Sequence, residues 1–225
     1  MLAPSTDPFT VRVSETESVS ALLCRPEHSR ACLVFAHGAG AGMNHAFMAA
    51  ASVGLAERAV ATLRYQFPFM ERGSKRPDSP KLAHATVRGA VATAADLMPG
   101  IPLFAGGKSF GGRMTSQAQA WAPLAKVRGL IFFGFPLHPA KQPSQERAEH
   151  LSQIRCPMLF LQGTRDELAD VALVRTVTEA LGELATLQLF DDADHSFHVR
   201  ARSGHTDKQV LDSMLDALAA WITAR

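Results

Sequence analysis

The stretch GGKSFGG, Gly106 to Gly112, fits two unrelated turns. Read around Lys108 and Ser109, it matches the end of a phosphate-binding loop, G-x-x-x-x-G-K-[ST]. Read as Gly107-Lys108-Ser109-Phe110-Gly111, it is G-x-S-x-G, the strand-to-helix turn that presents a nucleophilic serine. The phosphate reading fails at its first position, which is Pro102 instead of the glycine that opens such a loop. Leu103 to Gly106 mostly continue an apolar strand, and Leu130 to Phe133 (LIFF) leads into Gly134 with no aspartate for magnesium. The serine reading meets its demands. Gly107 and Gly111 keep side chains out of a crowded turn, Ile101 to Ala105 (IPLFA) supplies the strand before it, and the segment from Gly112 onward supplies the helix after it.

Outward from this turn, strand and helix alternate. Ala31 to Ala36 (ACLVFA), IPLFA, LIFF and Pro157 to Leu161 (PMLFL) are short apolar runs suited to strands buried on both faces. Ala46 to Ala59, Lys81 to Met98, Met114 to Trp121 and Val171 to Leu181, stopped by Gly182, have helical spacing. The alternation predicts an α/β fold with a parallel sheet and helices on both faces, preceded by an antiparallel hairpin from Val11-Arg12-Val13 and Val19 to Leu23. Val210, Leu211, Met214, Leu215, Leu218 and Ile222 define a final helix, with Thr206 and Gln209 forming a capping box. Phe67 to Pro80 reads as a surface loop near the working edge of the sheet. Gly134 to Cys156 has room for a loop and one short helix but not for a lid. Residues 1–225 read as a single domain, the economical assumption at this length.

Composition narrows the function classes. A net charge of +2, with one basic cluster at Arg72-Gly73-Ser74-Lys75-Arg76, gives no stripe for nucleic acid or an acidic membrane. No apolar run reaches the roughly 18 residues of a membrane span. The start, MLAPSTDPF, lacks the basic and apolar regions of a secretory signal, and Cys24, Cys32 and Cys156 read as reduced core residues. A cytoplasmic location is the expectation.

A serine hydroxyl needs a base, and the base an acid that fixes its tautomer. Both follow in chain order. After PMLFL comes Gln162-Gly163-Thr164-Arg165-Asp166-Glu167, and after Leu187 to Phe190 comes Asp191-Asp192-Ala193-Asp194-His195-Ser196-Phe197. Each group follows a strand, where ligands bind in an open parallel sheet. Asp166 is the expected acid, with Glu167, Asp170 and Asp194 as rivals. ACLVFA runs into His37-Gly38-Ala39-Gly40-Ala41-Gly42, whose N–H groups can supply half an oxyanion hole: Ala39 first, Gly40 second, with Phe110 as the other half. As a dinucleotide loop this run fails G-x-G-x-x-G, because Met43 or His45 stands in the last place.

With HGAG, GGKSFGG, GTRDEL and DADHSF in this order, the chain resembles the α/β-hydrolase superfamily, and the small lidless dienelactone-hydrolase group within it. HGAGAGMNH, RYQFPFMERGSKRPD and GGKSFGGRM look more narrowly like the predicted hydrolases grouped with the testis-expressed Tex proteins and a non-enzymatic scaffold subunit of a histone acetyltransferase complex. The resemblance implies a mostly parallel sheet without a large cap domain. It places the nucleophile on Ser109, the acid on Asp166, the base on His195 and the oxyanion donors on Phe110 and Ala39. The implied reaction is cleavage of an ester or thioester of a small molecule without cofactor or metal, acyl transfer and C–C hydrolysis using the same residues. The alternative is a catalytically silent scaffold. His138, Arg64 and Arg72 are candidate pocket residues, with Lys75 and Arg76 in the same basic loop. His37 is expected to brace the oxyanion loop, Lys108 and Arg113 to pair with carboxylates, and His28, His84, His150 and His205 to lie at the surface.

Overall fold

A computed structural model describes residues 5–225; residues 1–4, on which part of the leader reading falls, lie outside the described residues. The eight strands are β1 (Ser5–Arg12), β2 (Ser18–Arg25), β3 (Ala31–Ala36), β4 (Val60–Tyr65), β5 (Leu103–Lys108), β6 (Val127–Phe133), β7 (Met158–Gly163) and β8 (Ala185–Phe190). They form one sheet in the order β1-β2-β4-β3-β5-β6-β7-β8. β1 and β2 make the expected antiparallel hairpin, β2 is antiparallel to β4, and every pair from β4 to β8 is parallel.

The apolar runs are continuous because each strand faces two cores. On β3, Cys32, Val34 and Ala36 pack into one and Ala31, Leu33 and Phe35 into the other. On β6, Leu130 and Phe132 are set against Ile131 and Phe133 in the same way. Helices α1 (Ala46–Glu57) and α6 (Asp207–Thr223) cover one face through Met48, Leu55, Met214 and Leu218. Helices α3 (Pro80–Leu97), α4 (Phe110–Trp121) and α5 (Val171–Leu181) cover the other through Val87, Val91, Met114 and Val174. Between β4 and α3 lies a one-turn helix, α2 (Pro68–Glu71), inside the stretch expected to be irregular. Gly134 to Cys156 holds one 3-10 segment, Glu146–Gln153, and among the described residues no cap domain covers the sheet. The capping box of α6 is present, with Thr206 Oγ1 accepting from Gln209 N–H and Gln209 Oε1 accepting from Thr206 N–H.

Candidate active site

The turn between β5 and α4 is forced by contacts on both sides. A Cβ on Gly107 would sit 2.4 Å from the Ala36 carbonyl oxygen, and one on Gly111 would sit 2.5 Å from that of His37. With the chain pressed against β3 in this way, Ser109 takes φ 51° and ψ −115°, a conformation non-glycine residues hold only when their surroundings impose it. Its N–H donates to the Phe133 carbonyl at 3.1 Å, which ties the turn to β6.

Side chains from three strand ends meet here. Ser109 Oγ lies 2.8 Å from His195 Nε2, and His195 Nδ1 lies 2.7 Å from Asp166 Oδ2. The carboxylate can only accept, so Nδ1 carries the proton and Nε2 is free to take the serine's. The Asp166 side chain is fully buried. Its Oδ2 also accepts from Gln162 Nε2 at 2.5 Å, and its Oδ1 from Leu168 N–H at 2.8 Å. Gln162 completes its own amide by accepting from Phe135 N–H at 2.9 Å. These contacts satisfy the buried carboxylate and aim it at the imidazole.

The loop after β3 lies opposite. His37 is fully buried, accepts from Phe67 N–H at Nε2 (2.9 Å), and from Nδ1 donates to the Gly38 carbonyl at 2.7 Å. Burial pulls its pKa down to about 4, so it stays neutral and braces the loop. The N–H groups of Ala39, Gly40 and Phe110 make no hydrogen bond within the described protein. An open pocket of about 400 Å³ connects Ala39, Gly40 and Phe47 to Ser109 and His195, with Leu168 on its far wall. A larger cleft of about 730 Å³ lies beside Arg25 and Met98 at the opposite edge of the sheet, and its lining holds no hydroxyl bonded to an imidazole.

Three residues expected at the pocket wall do not reach it. Arg64 is buried on β4, where its guanidinium donates to the Met43 carbonyl at 3.0 Å and so holds the loop after β3 from behind. Arg72 pairs with Glu17 at 2.6 Å and Asp78 at 2.8 Å. His138 is buried, bonded to the Pro139 carbonyl at 2.8 Å and to Asp170 N–H at 2.9 Å. Arg72 and His138 are satisfied by neighbouring loops before they can face the cleft, and Arg64 is held on β4 by the Met43 carbonyl with its buried Nε unpaired. His150 is half-buried: it bonds Ser116 Oγ at 2.7 Å, and burial pulls its pKa down to about 4.

Residues 29–223 match the family described as the alpha/beta hydrolase domain. The chain belongs to the alpha/beta hydrolase family. Solved structures share this fold. A dienelactone hydrolase from Anabaena variabilis superposes with a TM-score of 0.80 at 19% identity, covering 99% of both chains. An α/β serine hydrolase without lid from Xanthomonas campestris gives 0.74 at 19% identity, covering 96% of this chain and 94% of that one. A Thermus thermophilus protein gives 0.73 at 23% identity over all of both chains. At these identities the likeness speaks for the fold. This alpha/beta hydrolase is thus a small one without a large cap domain among its described residues.

Proposed function

We propose that this alpha/beta hydrolase is a serine hydrolase that cleaves the carboxylic ester or thioester of a small molecule. The observation that carries the reading is the unbroken chain of hydrogen bonds from Ser109 Oγ through His195 to buried Asp166, opening into the pocket. His195 Nε2 takes the Ser109 proton as Oγ attacks the substrate carbonyl. The oxyanion is received by the unpaired N–H groups of Phe110 and Ala39 or Gly40, at the positive end of α4. His195 then protonates the leaving alcohol or thiol. A water activated by the same imidazole hydrolyses the acyl-enzyme and restores Ser109.

The backbone at Ser109 favours this reading over a scaffold role. A residue held at φ 51° costs on the order of 1–3 kcal/mol, a strain with purpose when the hydroxyl must project into the pocket. The narrower likeness to the Tex-type proteins extends to the same segments and does not alter the chemistry proposed. The free cysteines Cys24, Cys32 and Cys156 suit a reducing compartment such as the cytoplasm.

The test is labelling by a fluorophosphonate probe, with p-nitrophenyl acetate turnover in parallel. Both should be present in the wild type and lost in Ser109→Ala. Equal labelling of the two proteins would remove Ser109 from the reaction.

A further inference from the structure

Lys108, the residue before Ser109, is an unexplained charge in this site. An ammonium withdrawn from water is costly unless it gains partners. Among the described residues Lys108 joins no ion pair. Its Nζ donates to the backbone carbonyl of His195, lies 4.8 Å from the centre of the Phe197 ring, and lies 5.8 Å from that of Phe47. One cation therefore grips His195 through its carbonyl and, two residues on, the face of Phe197.

That segment needs holding. Asp192 and Phe197 on either side of the histidine are both in the left-handed region, at φ 56° and 64°. Gly134 at the end of β6 leaves the space: a Cβ there would lie 3.2 Å from Lys108 Nζ, 3.5 Å from Asp166 Oδ2 and 3.5 Å from His195 Cε1. The ionisable groups near the ammonium are Asp166 after β7 and Asp194 and His195 after β8, while His45, which caps α1, lines the same pocket and the turn after β6 brings only Gly134.

We propose that Lys108 is a positioning residue whose charged ammonium clamps the His195 carbonyl and so fixes the imidazole between Asp166 and Ser109. This rests on the proposed roles of those three residues. A bond from an ammonium is about twice as strong as one from a neutral donor, so the clamp weakens when the proton leaves. Burial pulls the Lys108 pKa down to about 8, with Asp166 and Asp194 opposing the fall, which places that loss in a measurable range.

The experiment is the rate of fluorophosphonate labelling from pH 6 to 10 in wild type, Lys108→Met and Lys108→Arg, with folding checked by circular dichroism. Wild type should label fastest near pH 7 and slow about threefold above pH 8, the difference between a charge-assisted hydrogen bond and a neutral one. Lys108→Met should be about tenfold slower at pH 7 and show no alkaline decline. Lys108→Arg, charged throughout, should keep most of the rate up to pH 10. If arginine does not fit, the methionine variant decides alone. A purely structural lysine would slow labelling in Lys108→Met yet leave the alkaline decline, and that pattern overturns the proposal, as does a wild-type rate in Lys108→Met. A wild type that never labels refutes the proposed function and this inference with it, whereas the other outcomes refute the inference alone.

Discussion

Acid should unfold this protein through His37, and the size of the effect follows from its surroundings. The imidazole has no exposed surface, and each ring nitrogen is committed: Nδ1–H to the Gly38 carbonyl, Nε2 to the Phe67 N–H. A proton added at Nε2 would confront a donor. Burial lowers the pKa from 6.5 to about 4, although the Gly38 and Ala41 carbonyls and Asp78 oppose the shift. Since the folded value is depressed, the unfolded chain binds more protons between pH 4 and 6.5, and stability falls as pH drops through that window. It is fully present above pH 7. At about 1.4 kcal/mol per pH unit, the whole contribution is on the order of 3 kcal/mol, of which about 2 kcal/mol is gone at pH 5. The comparison is with His37→Gln, which retains an acceptor for Phe67 and cannot titrate. Urea denaturation at pH 7.5 and 5.0 should show wild type losing about 2 kcal/mol more than the variant. His150, also drawn down to about 4, titrates in both proteins and cancels. Equal losses in the two proteins would refute the argument.

Two further outcomes follow from the same geometry. Asp166→Asn should remove the acceptor that holds the proton on His195 Nδ1, costing about 10⁴ in kcat for p-nitrophenyl acetate with the circular dichroism spectrum unchanged; a nearly normal rate would place the acid elsewhere. Gly111→Ala drives a methyl group to 2.5 Å from the His37 carbonyl oxygen and 2.7 Å from Ala36 Cβ, so it should lower the unfolding free energy by more than about 2 kcal/mol in urea titration. A smaller loss would mean that α4 and β3 separate easily.

Much of the fold was legible because its strands are buried on both faces and so read as unbroken apolar runs. β4 was missed for the converse reason. In Val60–Tyr65, Thr62 and Arg64 interrupt the run, and both are buried because Thr62 Oγ1 bonds Ser52 Oγ and the Arg64 guanidinium reaches the Met43 carbonyl. Partners that lie 10 and 21 positions back along the chain leave no local signal. The loop expected from Phe67 to Pro80 contains a helical turn for a similar reason: Asp78 accepts from Phe69 N–H at 2.9 Å and pairs with Arg72. Ser109, Asp166 and His195 were visible because each closely follows a strand in a recognisable turn. Gln162, Gly134 and the contacts of Lys108 were not, since their importance arises only when neighbouring strand ends meet.

The structure also distinguishes among the acids near His195. Asp194, adjacent in sequence, has Oδ1 occupied by the N–H groups of Ser196 and His198, at 2.8 and 3.0 Å, so it shapes the turn carrying the histidine. Asp170 caps α5 through the N–H groups of Ala172 and Leu173. Glu167 is exposed. Asp166 alone of the four is buried and reaches Nδ1. His195 is 86 residues from Ser109, and its loop is pinned independently on each side: Asp192 by Arg165 and Arg200, and Val199 N–H by Asp207. A site without a cap has no closing domain to assemble its groups around a substrate. Catalytic geometry tolerates errors of only about 0.5 Å, so an open site has to hold the imidazole in place beforehand. The clips on either side of His195, and the ammonium beneath it, take the part that domain closure would otherwise play.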